Sequence, residues 1–450
     1  MSGVPLTGGL ALSGPLPLPL HGIASRHDLP LPFEFVVVGA VVALVVSFVL
    51  LFFGWPKQRY RDRRSRGLFR VHPAVVWVAR IAVLLWYGVA ALALVAGEDR
   101  LTNPIFGFVF ALLWVGLVPL SALFGPVYAA LNPVATLQRL VYAVLRRDPD
   151  DGFVTTVPKW LGVWPGAVGL FVFTFFELVQ PARTTLPVMQ LYVAGWFVVL
   201  FFGSLLGGRR WLAAADPFEV FANLVAAGAP LQPDKEGRVQ LINPLRALAT
   251  WRPPNGTPAV VSVLLGSTAF DSFANTSWWL RTVQDSSVPY EVWATGGLLT
   301  MIILVATTFW LAARLMTPFS RRGVPVRELA RLMSPSIVPI IVGYAIAHYF
   351  TLLVVEGQRT VINMSDPLGL GWNLFGTAER GVATGLVMVP TFVAVLQLAG
   401  ILLGHIVGIV VAHERSLAML RPDRTIVGQL PMLLVMIGYT IAGLLLLFSP

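Results

Sequence analysis

Asp271 lies in a stretch otherwise apolar enough to cross a bilayer, so it needs a chemical reason. Ser267, Asp271 and Asn275 recur every four residues and share one helical face, with Thr268, Ser272 and Thr276 on the adjoining stripe. An ionisable side chain near mid-membrane costs about 2.5–3.5 kcal/mol on insertion scales. Two arrangements meet that cost. Either the face turns toward the bundle interior or a water-filled cavity, or the span ends early and Asp271 sits in an outer loop. Gly266, just before the polar face, offers a point where the helix can break.

His348 is the second such residue, with Tyr344 and Thr351 on its helical face and Glu356 two turns further on. It reads either as a neutral packing residue or as an acid–base group. Asp271, His348 and Glu177 (with Gln180 near it) fall at a similar depth in their spans. Such a set suits hydrolytic acid–base chemistry, or a divalent metal held by His348 and Asp271. Gln397, His405 and His413 follow one another at intervals of eight residues, about 12 Å apart along a helix, too far to share one metal. They read as packing residues or, with Glu356 and Asp366, as steps of a polar path.

The elements that must position these residues are membrane spans. The 450 residues are 56% hydrophobic and 12% charged, with 28 Phe and 14 Trp, and the mean hydropathy is +0.76. An average soluble chain carries about 25% charged residues. A soluble enzyme, a disordered chain and a disulfide scaffold are all excluded. With no Cys, thiolate catalysis, Cys-ligated zinc and iron–sulfur clusters are excluded too. Apolar runs of about 20 residues give about ten spans, near 35–55, 73–96, 105–131, 160–179, 187–207, 259–280, 292–316, 336–355, 384–411 and 427–448. The expected fold is therefore an all-α polytopic helix bundle, with residues 34–450 as a single transmembrane domain after an outer tail or poor signal segment, 1–33.

Basic residues set the orientation. Most of the 32 Lys and Arg lie in the loops near 56–72, 132–158, 208–257, 317–334 and 412–425, which the positive-inside bias assigns to the cytoplasm. Both termini are then expected outside. The net charge of +10 is mainly this topological signal, helped by anionic lipid headgroups. No basic and aromatic platform supports nucleic-acid binding. Arg greatly outnumbers Lys, which with the missing Cys suggests a GC-rich bacterium and its plasma membrane.

Two cytoplasmic loops carry helix starts, Asn132-Pro133 and Asp216-Pro217-Phe218-Glu219, since Asn or Asp before Pro is a usual N-cap and N1 pair. Both are expected to begin helices lying in the membrane interface, and together they hint at a weak internal repeat. The outer loop 356–381, with Asp366-Pro367-Leu368-Gly369, reads as a cap over an outward-facing cavity or as a surface turn. No Gly-rich phosphate loop, HExxH or nucleophile elbow is present.

Several segments together carry a resemblance. His21-Gly22-Ile23, Arg26-His27-Asp28-Leu29-Pro30, Ala347-His348-Tyr349-Phe350, Glu356-Gly357-Gln358, Ser365-Asp366-Pro367-Leu368-Gly369, Gly404-His405 and Ala412-His413-Glu414-Arg415 resemble multi-pass bacterial membrane proteins labelled fenitrothion hydrolase. The similarity runs from about His21 to the last span. It implies hydrolysis of an organophosphate triester with release of a nitrophenol, and transfers no catalytic residues.

Three functions follow as expectations. In a hydrolase, an apolar substrate enters an outward-facing cavity and Asp271 or His348 acts as general base on water, directly or through a metal. Asn275 and Tyr344 then donate to the phosphoryl oxygen, with Glu177 nearby. In a secondary transporter or channel for a small solute or ion, a broken span at Gly266 holds the cargo. In a structural subunit, the polar spans face partners in a membrane complex.

Overall fold

The computed structural model describes residues 29–153, 157–234 and 236–448; the segment around His21 and His27 lies outside them. Twelve helices organise the described chain: α1 Phe33–Gly54, α2 Pro73–Ala96, α3 Pro104–Phe124, α4 Pro133–Val144, α5 Trp164–Leu178, α6 Leu186–Gly207, α7 Pro217–Ala226, α8 Thr257–Ala274, α9 Tyr290–Met316, α10 Val338–Asn363, α11 Pro390–Met419 and α12 Thr425–Leu447. Among the described residues, 9 helices are long and apolar enough to cross a membrane, and α5 and α7 are shorter apolar helices. This is the architecture of a multi-pass helical membrane protein. The stretch 160–179 forms α5, whose 15 residues reach only about 22 Å at 1.5 Å per residue, short of ~30 Å of hydrocarbon. The expected ten spans thus become nine long helices and one short one.

Four further expectations change. The expected break at Gly266 is not found: α8 runs unbroken from Thr257 to Ala274. Gly266 instead lets α9 come close, since a Cβ there would lie 2.5 Å from Ile302 Cα. The segment starting at Asp216 is not an interfacial helix. Every residue of α7 but Asn223 is buried, because it packs among α3, α5 and α10, whereas α4 keeps Leu140 and Val144 exposed. The outer loop begins later than residue 356, because α10 continues to Asn363. Finally, the all-α expectation omitted a three-stranded antiparallel sheet of order β1-β3-β2. Here β1 is Ser65–Arg70, β2 Leu231–Pro233 and β3 Arg238–Ile242, so the sheet joins two of the basic loops.

The tightest seam is between α10 and α11. Gly400, Gly404 and Gly408 recur every four residues, and a Cβ on them would lie 2.8 Å from Gly343 O, 2.6 Å from Pro339 O and 2.7 Å from Ser336 O, respectively. A stripe of small residues allows two backbones to approach where lipid offers no hydrophobic drive for helices to associate. That approach fixes the height of α10, and with it the height of His348. In α3, residues Phe108–Val115 are π-helical, and this widened turn packs against α10.

Candidate functional site

α8 supplies Asp271 and Ser272, and α10 supplies Tyr344 and His348 one turn apart on one face, with Tyr349 adjacent. His348 Nε2 lies 2.9 Å from Asp271 Oδ2, and the Tyr349 hydroxyl donates to the same oxygen at 3.1 Å. On the other side of the ring, His348 Nδ1 lies 3.3 Å from Ser272 Oγ, which is 2.8 Å from the Tyr344 hydroxyl. Tyr349 meets the imidazole edge-on, with centroids 4.5 Å apart, and Tyr344 stacks on it at 5.9 Å. The side chains of His348 and Asp271 are only 4% and 11% exposed.

With Asp271 ionised and His348 neutral, one polarity follows for this chain. An ionised carboxylate only accepts, so Asp271 takes protons from His348 Nε2 and Tyr349. A neutral ring then has an acceptor at Nδ1, to which Ser272 donates. The single proton of Ser272 is thereby used, so Tyr344 donates to Ser272. Every donor points toward Asp271. A proton arriving at the Tyr344 end can pass along the chain by reversing each bond in turn.

Glu177 is buried at the end of α5 and within electrostatic range of Asp271. Asn275 is a correction. Its amide donates to the backbone carbonyl of Asp271 at 2.7 Å and the residue is exposed, so it closes the end of α8 instead of facing a substrate. His348 and Asp271, the expected metal pair, do meet, and among the described residues no group of 3 or more His, Cys, Asp or Glu could hold an ion. Ser272 and Tyr349 are the members the sequence reading did not select. Ser272 was legible only as part of the polar stripe beside Asp271, and Tyr349 only as a neighbour of His348.

Of the polar-path residues, His405 lines one cavity of about 440 Å³ with Tyr344, while the acids are engaged locally. Glu356 pairs with Arg359 at 2.6 Å. Asp366 accepts from the backbone N–H of Leu370 at 2.9 Å and Gly371 at 2.8 Å, which folds the outer loop on itself. Its slight burial pushes the carboxyl up, but the N–H groups of Gly371 and Leu370, with those of Trp372 and Gly369, outweigh this and hold it below the usual carboxylate range. Gln397 is buried apart from these. His405 hydrogen-bonds Ile401 O through Nδ1 at 2.8 Å. Its neighbour Gly404 packs on Pro339, nine residues before His348, or about 14 Å along α10.

A second buried polar cluster was legible only as helix caps. The Asn132 amide donates to Asp216 Oδ2 at 2.7 Å and to Glu219 Oε2 at 2.9 Å, while Arg209 pairs with Glu219 at 2.6 Å. Asn132 and Asp216 each also cap their own helix, α4 and α7. The two Pro-initiated helix starts therefore meet N-terminus to N-terminus.

Beside the Asp271–His348 chain, Tyr344, Tyr349 and Trp114 line a space of about 20 Å³, room for about one water. Compared with known proteins, the chain matches no family model, no curated protein and no solved structure.

Proposed function

We propose that this protein is a proton-coupled membrane carrier in which Asp271 and His348 take up and release the coupling proton. The observation that supports this reading most is the buried chain Tyr344–Ser272–His348–Asp271–Tyr349, a set of groups that exchange protons, held by two facing helices, with room for about one water beside it and a cavity of about 440 Å³ lined by Tyr344 and His405. A drug-sized ligand needs about 300–1,000 Å³, which the space of about 20 Å³ between the two tyrosines lacks and the cavity of about 440 Å³ at Tyr344 provides. Intramembrane carboxylate and imidazole groups recur in the proton relays of pumps and transporters. A pH jump applied to proteoliposomes on a solid support tests the reading. The wild type should give a transient proton-displacement current, and Asp271→Asn should give none. Equal currents would remove Asp271 from that role.

A second reading, hydrolysis, has its own support. Ser272 Oγ, His348 and Asp271 stand in the order nucleophile, base and orienting carboxylate, with contacts of 3.3 Å and 2.9 Å. It also agrees with the resemblance to proteins labelled fenitrothion hydrolase. Against it, Ser272 lies within α8, where backbone N–H groups are engaged in the helix and cannot form an oxyanion hole. Tyr344 is then the nearest donor. Nitrophenol release from fenitrothion, lost in Ser272→Ala, would favour this reading over the carrier.

A further inference from the structure

At the basic end of the bundle, where α1, α11 and α12 converge, a cup of about 700 Å³ opens between the helix ends. Lys57, Arg61 and Arg321 line it. Asp423, the acid among its lining residues, is turned to Arg424 at 3.5 Å, so the cup keeps an excess of positive charge. Arg321 is held in place by the carbonyls of Leu420 at 2.6 Å and Leu417 at 3.1 Å.

The wall and floor add donors that the fold itself leaves unused. Thr425 and Ile426, the first residues of α12, line the cup, and the N-cap of that helix makes no side-chain hydrogen bond. The start of α12 therefore offers the positive end of a helix dipole to an anion. Gln429, 5% exposed and also in the lining, engages His413 Nδ1 through Oε1 at 2.9 Å. Its Nε2 is buried without a partner. A buried amide donor without a partner is destabilising, and an anion in the cup would relieve it. Phe53 of α1 and Ile426 and Leu430 of α12 are exposed apolar side chains near the same helix ends.

We propose that this cup binds the phosphodiester of an anionic lipid from the leaflet that the charge bias assigns to the cytoplasm. Lys57 and Arg61 hold the phosphate oxygens, the start of α12 and Gln429 donate from below, and the acyl chains lie over the apolar faces of α1 and α12. A soluble phosphate would find the same charges but gain nothing from those apolar faces, so the lipid is the favoured source.

The test is the melting temperature of the full chain in dodecyl maltoside with three probes: dihexanoyl-phosphatidylglycerol, dihexanoyl-phosphatidylcholine and inorganic phosphate. Phosphatidylglycerol should raise it by a few degrees, and the other two should not. The shift should vanish in Lys57→Gln/Arg61→Gln, whose two side chains are exposed and whose melting temperature without lipid should equal the wild type's. Arg70→Gln, on β1 and outside the cup, should keep the shift. Equal shifts with phosphatidylcholine, or none with any probe, would overturn the proposal. So would a shift that survives the double substitution. Inorganic phosphate acting as strongly as phosphatidylglycerol would overturn the lipid as the source.

Discussion

Asp271 and His348, 77 residues apart in the chain, meet at 2.9 Å across the seam between α8 and α10, and both are almost wholly buried. With His348 removed, the carboxylate keeps Tyr349 but loses its imidazole partner in a medium that solvates charge poorly. His348→Ala should therefore lower stability by about 1.5–3 kcal/mol for the lost hydrogen bond to a charged group, with a further loss for the cavity the ring leaves. Tyr349→Phe should cost about 1.5–3 kcal/mol, a hydrogen bond to a charged group. Urea or thermal unfolding in detergent reads both; a larger loss in Tyr349→Phe than in His348→Ala would contradict this ordering.

Arg209 and Glu219 form a comparable pair among the basic loops, with side chains 16% and 1% exposed. Arg209→Ala leaves Glu219 beside Asp216 with Asn132 between them. The expected loss is again about 3–5 kcal/mol. Arg64→Ala removes an exposed pair with Asp62 at 3.7 Å and should leave the unfolding midpoint where it was, since exposed pairs contribute little. Similar midpoints for the two variants would mean that the buried pair does not hold α7 in place.

The glycine seam makes a steric prediction. A Cβ on Gly404 would sit 2.6 Å from the backbone oxygen of Pro339, an atom that cannot swing away as a side chain end can. Gly404→Val should cost at least about 2–3 kcal/mol through overpacking and shift His348 out of register with Asp271. Gly195→Ala, with nothing within 4 Å of its Cβ, should be neutral or stabilise α6 by about 0.5–1 kcal/mol. Size-exclusion profiles and melting temperatures of the two variants check this directly.

The outer loop carries a pH prediction. Asp366 has its carboxyl held below the usual range by backbone N–H groups, so its ionised form stabilises the folded loop. A depressed folded value means that this contribution is full at neutral pH and is lost as the pH falls through that value, below the ordinary carboxylate range. Asp366→Asn should mimic the acid state at neutral pH. The amides of Leu370 and Gly371 should then exchange faster with deuterium, and unchanged protection would show that the carboxylate does not hold this turn.

Much of the architecture was legible because it depends on local composition. A run of about 20 apolar residues reads as a long apolar helix by length and composition alone, and nine such helices are present among the described residues. Asn132-Pro133 and Asp216-Pro217 announced helix starts by the same local logic, and both are side-chain N-caps. The cost of a buried carboxylate singled out Asp271, and the scarcity of intramembrane His singled out His348.

What surrounds each residue was decided by tertiary packing. Asn275 shares a helical face with Asp271 in sequence, yet it closes its own helix, because the last turn of α8 leaves backbone carbonyls that need donors. The periodicity of α7 looks like that of a surface helix, but helices packed on several sides bury all its faces, a fact that no single segment encodes. Tyr344, His348 and Tyr349 reach Ser272 and Asp271 only because α10 packs against α8, with the glycines at 400, 404 and 408 holding α10 close to α11 on its other contact. Local chemistry determined which residues were costly to bury, and the close approach of backbones far apart in sequence decided which of them became partners.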